Sequence, residues 1–179
     1  MPQPFFPSCR PALRAGLAAL ALSACAAPQA APHATAGAAT PQLRGFAVQT
    51  EALDLSRLHG KVLLLFFWST DCPVCLDKMA ELRRNLAGWR GRDFLVLAIN
   101  QDRHPESLQA YLRAVQGAHA PDPQLRFVWR HDPGHRDSFG PLPERAPTTV
   151  LLDRDGRERA RLMGRIPATL WDDIAELLL

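Results

Sequence analysis

From Lys61 onward the apolar residues follow two different periods. Lys61-Val-Leu-Leu-Leu-Phe-Phe-Trp68 and Asp93-Phe-Leu-Val-Leu-Ala-Ile-Asn100 are short and almost continuously apolar, the pattern of strands buried on both faces of a parallel or mixed sheet. Between them Leu76, Met79, Leu82, Leu86 and Trp89 recur at helical spacing among charged residues, and Gly88 and Gly91 close the segment. Strand, helix and strand in that order predict a right-handed crossover. A second amphipathic helix is expected over residues 105–115, where Leu108, Tyr111, Leu112 and Val115 share a face, followed by a turn-rich loop and a short extended piece from Leu125 to Trp129. Pro, Gly and charge dominate between His131 and Arg145, with a helical turn expected over residues 136–139. Two stretches, 148–152 and 158–163, flank Asp153-Arg-Asp-Gly156, a hairpin signal. Pro167 is placed to open a last helix that turns Leu170, Trp171, Ile174, Leu177 and Leu178 inward. The expected class is α/β: a central mixed sheet flanked by helices, completed by a C-terminal hairpin and helix.

The first 42 residues read differently. Arg10 and Arg14 precede Ala15-Gly-Leu-Ala-Ala-Leu-Ala-Leu22, too short a run to span a bilayer but suited to the core of a signal peptide. It ends in Leu22-Ser-Ala-Cys25, which resembles a bacterial lipobox, so residues 1–25 are read as an export signal with Cys25 as the lipidated residue. The small residues around Cys25 also suit ordinary signal cleavage, which would leave a soluble periplasmic protein. Residues 26–42 are rich in Ala and Pro, lack bulky side chains, and read as a flexible tether. The globular domain is then 43–179, on the periplasmic side of a bacterial membrane and touching that membrane through the lipid anchor alone.

Composition narrows the classes. With 179 residues, 47% of them hydrophobic and 22% charged, the chain suits one globular domain plus accessories and is too short for two catalytic domains. Lys and Arg exceed Asp and Glu by 21 to 18, and without Arg10 and Arg14 the balance is nearly even, which gives no reason to expect a nucleic-acid partner. Of the four cysteines, Cys9 leaves with the signal and Cys25 goes to lipid. Cys72 and Cys75 remain. A bridge between them closes a loop too small to constrain the unfolded chain much, so the pair is there for its chemistry.

Cys72 stands where a buried strand gives way to a helix, with Pro73 in the first turn. Unpaired backbone N–H groups and the positive end of the helix dipole favour a thiolate there. Cys75, one turn on, is expected to be shielded. This asymmetry suits two-step exchange, in which Cys72 attacks a partner disulfide and Cys75 resolves the mixed disulfide. Two metal readings compete: half a zinc site completed by His131 and His135, whose distance along the chain is unlike that of a zinc finger, and a copper(I) carrier using both thiolates without turnover. A peroxidase reading is weaker, because Thr70 and Asp71 precede Cys72 in place of Thr-x-x-Cys. His59, His104, His119, His131 and His135 are expected at the surface. Trp89, Trp129 and Trp171 are expected in the core or at its edge, and Trp68 either there or lining the groove beside the cysteines.

Phe67-Trp-Ser-Thr-Asp-Cys-Pro-Val-Cys75, followed by Ala146-Pro-Thr-Thr-Val-Leu-Leu-Asp-Arg-Asp-Gly156, resembles the thioredoxin-fold proteins of the TlpA/ResA-like branch, which includes the cytochrome c maturation thioredoxins. The resemblance covers 43–179. It implies a thioredoxin-like fold, a redox-active Cys72–Cys75 disulfide in place of any other cofactor or metal, and a cis peptide before Pro147 lying against that disulfide. Trp68, Pro73, Ala146, Pro147 and Thr148 would then line the substrate groove, the backbone before Pro147 pairing with substrate as an added strand. The partners implied are protein thiols or disulfides, apocytochrome c or copper-site proteins among them, and a membrane thiol electron donor. Two departures bear on tuning. Asp71 replaces an aromatic residue before the first Cys, and its charge should oppose the thiolate and favour a more reducing pair. Lys78 stands where many members carry Glu, and Phe66 where thioredoxin itself has a buried Asp. Glu81 reads as solvated helix-face charge.

Overall fold

The computed structural model describes residues 40–48 and 51–179. Strands β1 (Leu43–Phe46), β2 (Ala52–Asp54), β3 (Val62–Trp68), β4 (Phe94–Asn100), β5 (Leu125–Trp129), β6 (Arg136–Asp137), β7 (Thr148–Leu152) and β8 (Glu158–Met163) join helices α1 (Pro73–Gly88), α2 (Pro105–Gln116) and α3 (Thr169–Leu178). The export signal, Cys9, Cys25 and nearly all of the tether lie outside the described residues. The boundary at 43 shifts slightly: Pro41 is buried, and Gln42 accepts from Ser138 N through its carbonyl while its own N–H donates to Ser138 Oγ.

The five-stranded sheet has the order β5-β4-β3-β7-β8, with β3–β4 and β4–β5 parallel and β3–β7 and β7–β8 antiparallel. All seven residues of β3 and all seven of β4 are buried, which is why those strands read as unbroken apolar runs. Each fully buried Leu or Phe contributes about 1.5–3 kcal/mol of transfer free energy, so the two strands anchor the domain. The hairpin between β7 and β8 forms as expected: Asp153 Oδ1 accepts the N–H groups of Asp155 and Arg157, and Gly156 takes φ +76°, where a Cβ would also lie 3.2 Å from His59 Nε2.

Period-two alternation sorts the sheet's side chains into two cores. One face carries Val62, Leu64, Phe66 and Trp68 against Met79, Leu82 and Leu86 of α1, Leu108 and Leu112 of α2, and Leu170, Ile174 and Leu178 of α3. The other carries Leu63, Leu65 and Phe67 against Leu43, Leu53, Leu55 and Phe139. Among the described residues the helices therefore pack on one face, and the second is covered by a small antiparallel sheet of order β2-β1-β6. That sheet corrects the sequence reading. The residues expected to form a helical turn at 136–139 include instead β6, which pairs with Leu43 and Arg44 of β1. Its backbone finds partners far away in sequence, which local periodicity cannot report. No helix among the described residues is long and apolar enough to cross a membrane.

Candidate active site

Strand β3 ends at Trp68 and α1 begins at Pro73, so the residues between them form a short turn at the carboxyl edge of the sheet. Cys72 caps the helix with extended backbone (φ −103°, ψ 102°), Pro73 follows in the first turn, and the Cys75 N–H donates to Cys72 Sγ at 3.1 Å. Pro73 fits because its missing N–H would have had no helical partner. Cys72 and Cys75 form a disulfide, with Cα atoms 5.2 Å apart. The first-turn amide that holds the sulfur in the oxidised state is the kind of donor that stabilises a thiolate in the reduced one.

The expected asymmetry, with Cys75 alone shielded, is corrected for the oxidised protein. Both cysteines are fully buried, because the segments around them are tied down. Ser69 Oγ lies 2.7 Å from both Asp71 Oδ1 and the Glu144 carbonyl, joining the turn before Cys72 to the loop before Pro147. The Gln101 amide donates to the Pro143 carbonyl, and Asp102 accepts from Thr70 N at 3.0 Å while its own carbonyl accepts from Trp129 Nε1. Sequence reading missed Ser69, Gln101 and Asp102. A signal was present: β3 and β4 are parallel, so the polar residues after Asn100 emerge at the same edge as the cysteines.

The other expected site residues are distributed unevenly. Trp68 is fully buried, edge-on to Tyr111 with ring centroids 4.7 Å apart, and belongs to the core with no surface for a substrate. Pro147 and Thr148 are buried and Ala146 half-buried. The Ala146–Pro147 peptide is trans, since the described residues contain no cis peptide. This corrects the expectation of a cis bond: trans is the lower-energy isomer by about 0.5–1 kcal/mol, and the Pro147 carbonyl accepts from Gly164 N at 2.8 Å in this conformation. Asp71 is exposed and shares its charge with Ser69 and with Arg145 at 3.9 Å, which reduces its leverage on the sulfur.

Lys78 and Glu81 are the larger surprise. Lys78 is 8% exposed, and its ammonium is ion-paired to Glu81 Oε2. Glu81 Oε1 accepts from Trp171 Nε1 of α3 at 3.1 Å. Burial pushes the Glu81 carboxyl up, but the hydrogen bonds from Lys78 and Trp171 outweigh it and hold the group below its ordinary value. Glu81 is thus part of a bridge between helices, not a solvated charge. His135 is likewise buried, with Nε2 2.8 Å from Asp137 Oδ2, whereas His131 is exposed and reaches the Gln101 carbonyl. No cluster of three or more His, Cys, Asp or Glu suited to a metal occurs among the described residues.

A Cys-x-x-Cys disulfide at the head of a helix, set on this crossover sheet, defines a thioredoxin-like thiol–disulfide oxidoreductase. The model of the AhpC/TSA family matches residues 31–160, and the chain belongs to that family. It is 23% identical over 133 residues to the thiol–disulfide oxidoreductase ResA of Halalkalibacterium halodurans, covering 73% of this chain and 70% of that protein. It is 31% identical over 124 residues to the thiol:disulfide interchange protein DsbE of Allochromatium vinosum, covering 69% of this chain and 61% of that one. The fold matches the thioredoxin domain of a thiol–disulfide oxidoreductase from Bacteroides vulgatus with a TM-score of 0.61 at 16% identity, covering 80% of this chain and 97% of that one.

Proposed function

We propose that the protein is an exported, lipid-tethered reductant of protein disulfides. The observation that carries the exchange chemistry is the Cys72–Cys75 disulfide whose helix-capping sulfur accepts the Cys75 amide. In the reduced protein the Cys72 thiolate attacks one sulfur of a substrate disulfide, and the other substrate sulfur leaves as a thiolate. Cys75 then attacks Cys72 Sγ, the mixed disulfide breaks, and two electrons and two protons end on the substrate as a dithiol. The chain is left oxidised, and a membrane thiol donor reduces it again.

Export and the lipid anchor rest on the run from Ala15 to Leu22 and on Cys25. Direction rests on Asp71, whose charge disfavours the reduced thiolate even after its sharing with Arg145. Substrate pairs through the backbone at Ala146, which enters no backbone–backbone hydrogen bond with the described residues and precedes the buried Pro147. Apocytochrome c and copper-site proteins are the substrate classes proposed, from the resemblance of the Cys-Pro-Val-Cys and Ala-Pro-Thr-Thr segments to the cytochrome c maturation thioredoxins. The test is reduction of insulin disulfides by the chain under a thiol donor. Catalysed precipitation that disappears in Cys72→Ser, and a trapped mixed disulfide in Cys75→Ser, are expected. An inert wild type that instead holds stoichiometric copper(I) would overturn the reading.

A further inference from the structure

Lys78 is the one Lys or Arg among the described residues that is buried; of the acids, Asp137 on the other face has a side chain covered to a similar degree. Helix α1 buries Cys75, Lys78, Met79, Leu82 and Leu86, so Lys78 occupies the stripe that carries the second cysteine, and residues three apart on a helix are neighbours. A lysine on a protein surface normally runs its stem over apolar groups and leaves the ammonium in water. Here the side chain is 10% exposed. Removing a charge from water costs several kcal/mol unless it is paired, and among the described residues its one hydrogen-bond partner is Glu81, although an ammonium has three donors.

Trp68 Nε1 and Thr149 Oγ1 are buried without a hydrogen-bond partner, and both belong to residues on the helix-covered face of the sheet. The other charged groups of the packed elements lie at the rim. On α1 they are Asp77, Arg83 and Arg84, with Asp77 facing Arg165 at 3.8 Å and Arg83 facing Tyr111 of α2. Before the helix Asp71 faces Arg145, and on α3 Asp172, Asp173 and Glu176 are exposed. Strands β3 and β7 contain no charged residue.

We infer that Lys78 is a positioning residue that supplies the buried counter-charge for the Cys75 thiolate when Cys75 resolves the mixed disulfide. The inference rests on the exchange reading above. In that step the bond from Cys72 Sγ to the substrate breaks, the Cys72–Cys75 bond forms, and the proton of the Cys75 thiol passes to the departing substrate sulfur. Lys78 exchanges no proton. It lowers the cost of placing negative charge on a buried sulfur, and Glu81 keeps the ammonium in place while no thiolate is present.

The experiment follows the pH dependence of iodoacetamide labelling at Cys75 in the reduced full chain carrying Cys72→Ser, read peptide by peptide by mass spectrometry so that Cys9 and Cys25 do not contribute. Lys78→Met should move the labelling midpoint to higher pH by about one unit or more, the size expected for loss of a nearby opposite charge. Lys78→Arg should restore it. Altered packing can itself move the midpoint of a buried thiol, so the charge-keeping Lys78→Arg separates the two: a purely structural role shifts the midpoint in both variants. An unchanged midpoint in Lys78→Met, or in Lys78→Gln should the Met variant not fold, would overturn the inference. So would a midpoint that Lys78→Arg fails to restore. Insulin reduction by the otherwise wild-type chain reports separately on the exchange reading.

Discussion

The two faces of the central sheet handle buried charge in opposite ways. On the face covered by the small sheet, Arg130 stacks over Phe67 at 5.2 Å and makes four hydrogen bonds: it donates to both carboxylate oxygens of Asp137, to Gln101 Oε1 and to the Gly140 carbonyl. Asp137 also takes His135 Nε2 and the Phe139 N–H. On the helical face Lys78 has Glu81 alone among the described residues. A network in which each charge meets several partners specifies structure, and of the described groups in this one only His135 Nδ1 is left buried without a partner. An under-satisfied cation on the helix stripe that carries Cys75 retains donors for charge that develops there.

Breaking this network should give the largest effect. Asp137→Ala strands Arg130 and His135, and a loss of about 3 kcal/mol at neutral pH is expected by denaturant titration. Burial pushes the Asp137 carboxyl up, yet the hydrogen bonds from His135 and Arg130 outweigh it and hold the group well below the usual carboxylate range. A carboxyl depressed in the folded state stabilises the protein above its unfolded pKa, near about 4, and that stability is lost as pH falls toward the folded value. The variant's stability should therefore fall less steeply than wild type between about pH 5 and pH 2. An equally steep fall would place the acid sensitivity elsewhere.

Thr148 and Thr149 sharpen the contrast, being adjacent residues on opposite faces with buried hydroxyls that lack partners. Replacing each by Val should stabilise the oxidised protein by about 1 kcal/mol, the order of the penalty for an unpaired buried hydroxyl. Under reductant the gain should persist for Thr148→Val and shrink for Thr149→Val, whose hydroxyl is on the side of the sulfurs. Equal gains in both states would remove the distinction between faces. Smallest is Lys61→Ala, which breaks an exposed pair with Asp93 at 3.2 Å and should change stability by less than about 0.5 kcal/mol.

Much of this arrangement was readable along the chain. Strands β3 and β4 announce themselves because a strand buried on both faces leaves no polar alternation, and Cys72 with Pro73 marks a helix start because the first turn tolerates a missing N–H and welcomes an acceptor. The burial of Lys78 was also within reach. Three residues after Cys75 and four before Leu82, it lies on the buried stripe by period, and its charge alone suggested solvent. The strand β6 was out of reach, since Arg136 and Asp137 are polar and take their conformation from pairing with β1 across most of the chain's length.

Sequence alone determined the crossover order, the dithiol and the hairpin, because each depends on residues close together along the chain. Tertiary structure decided that Cys72 is covered, that Trp68 is core, that the peptide before Pro147 is trans, and that Lys78 is enclosed. These depend on which distant segments meet. Burial and unmet hydrogen bonds are properties of neighbours in space, and they appear once Ser69 meets Glu144 and Trp171 meets Glu81.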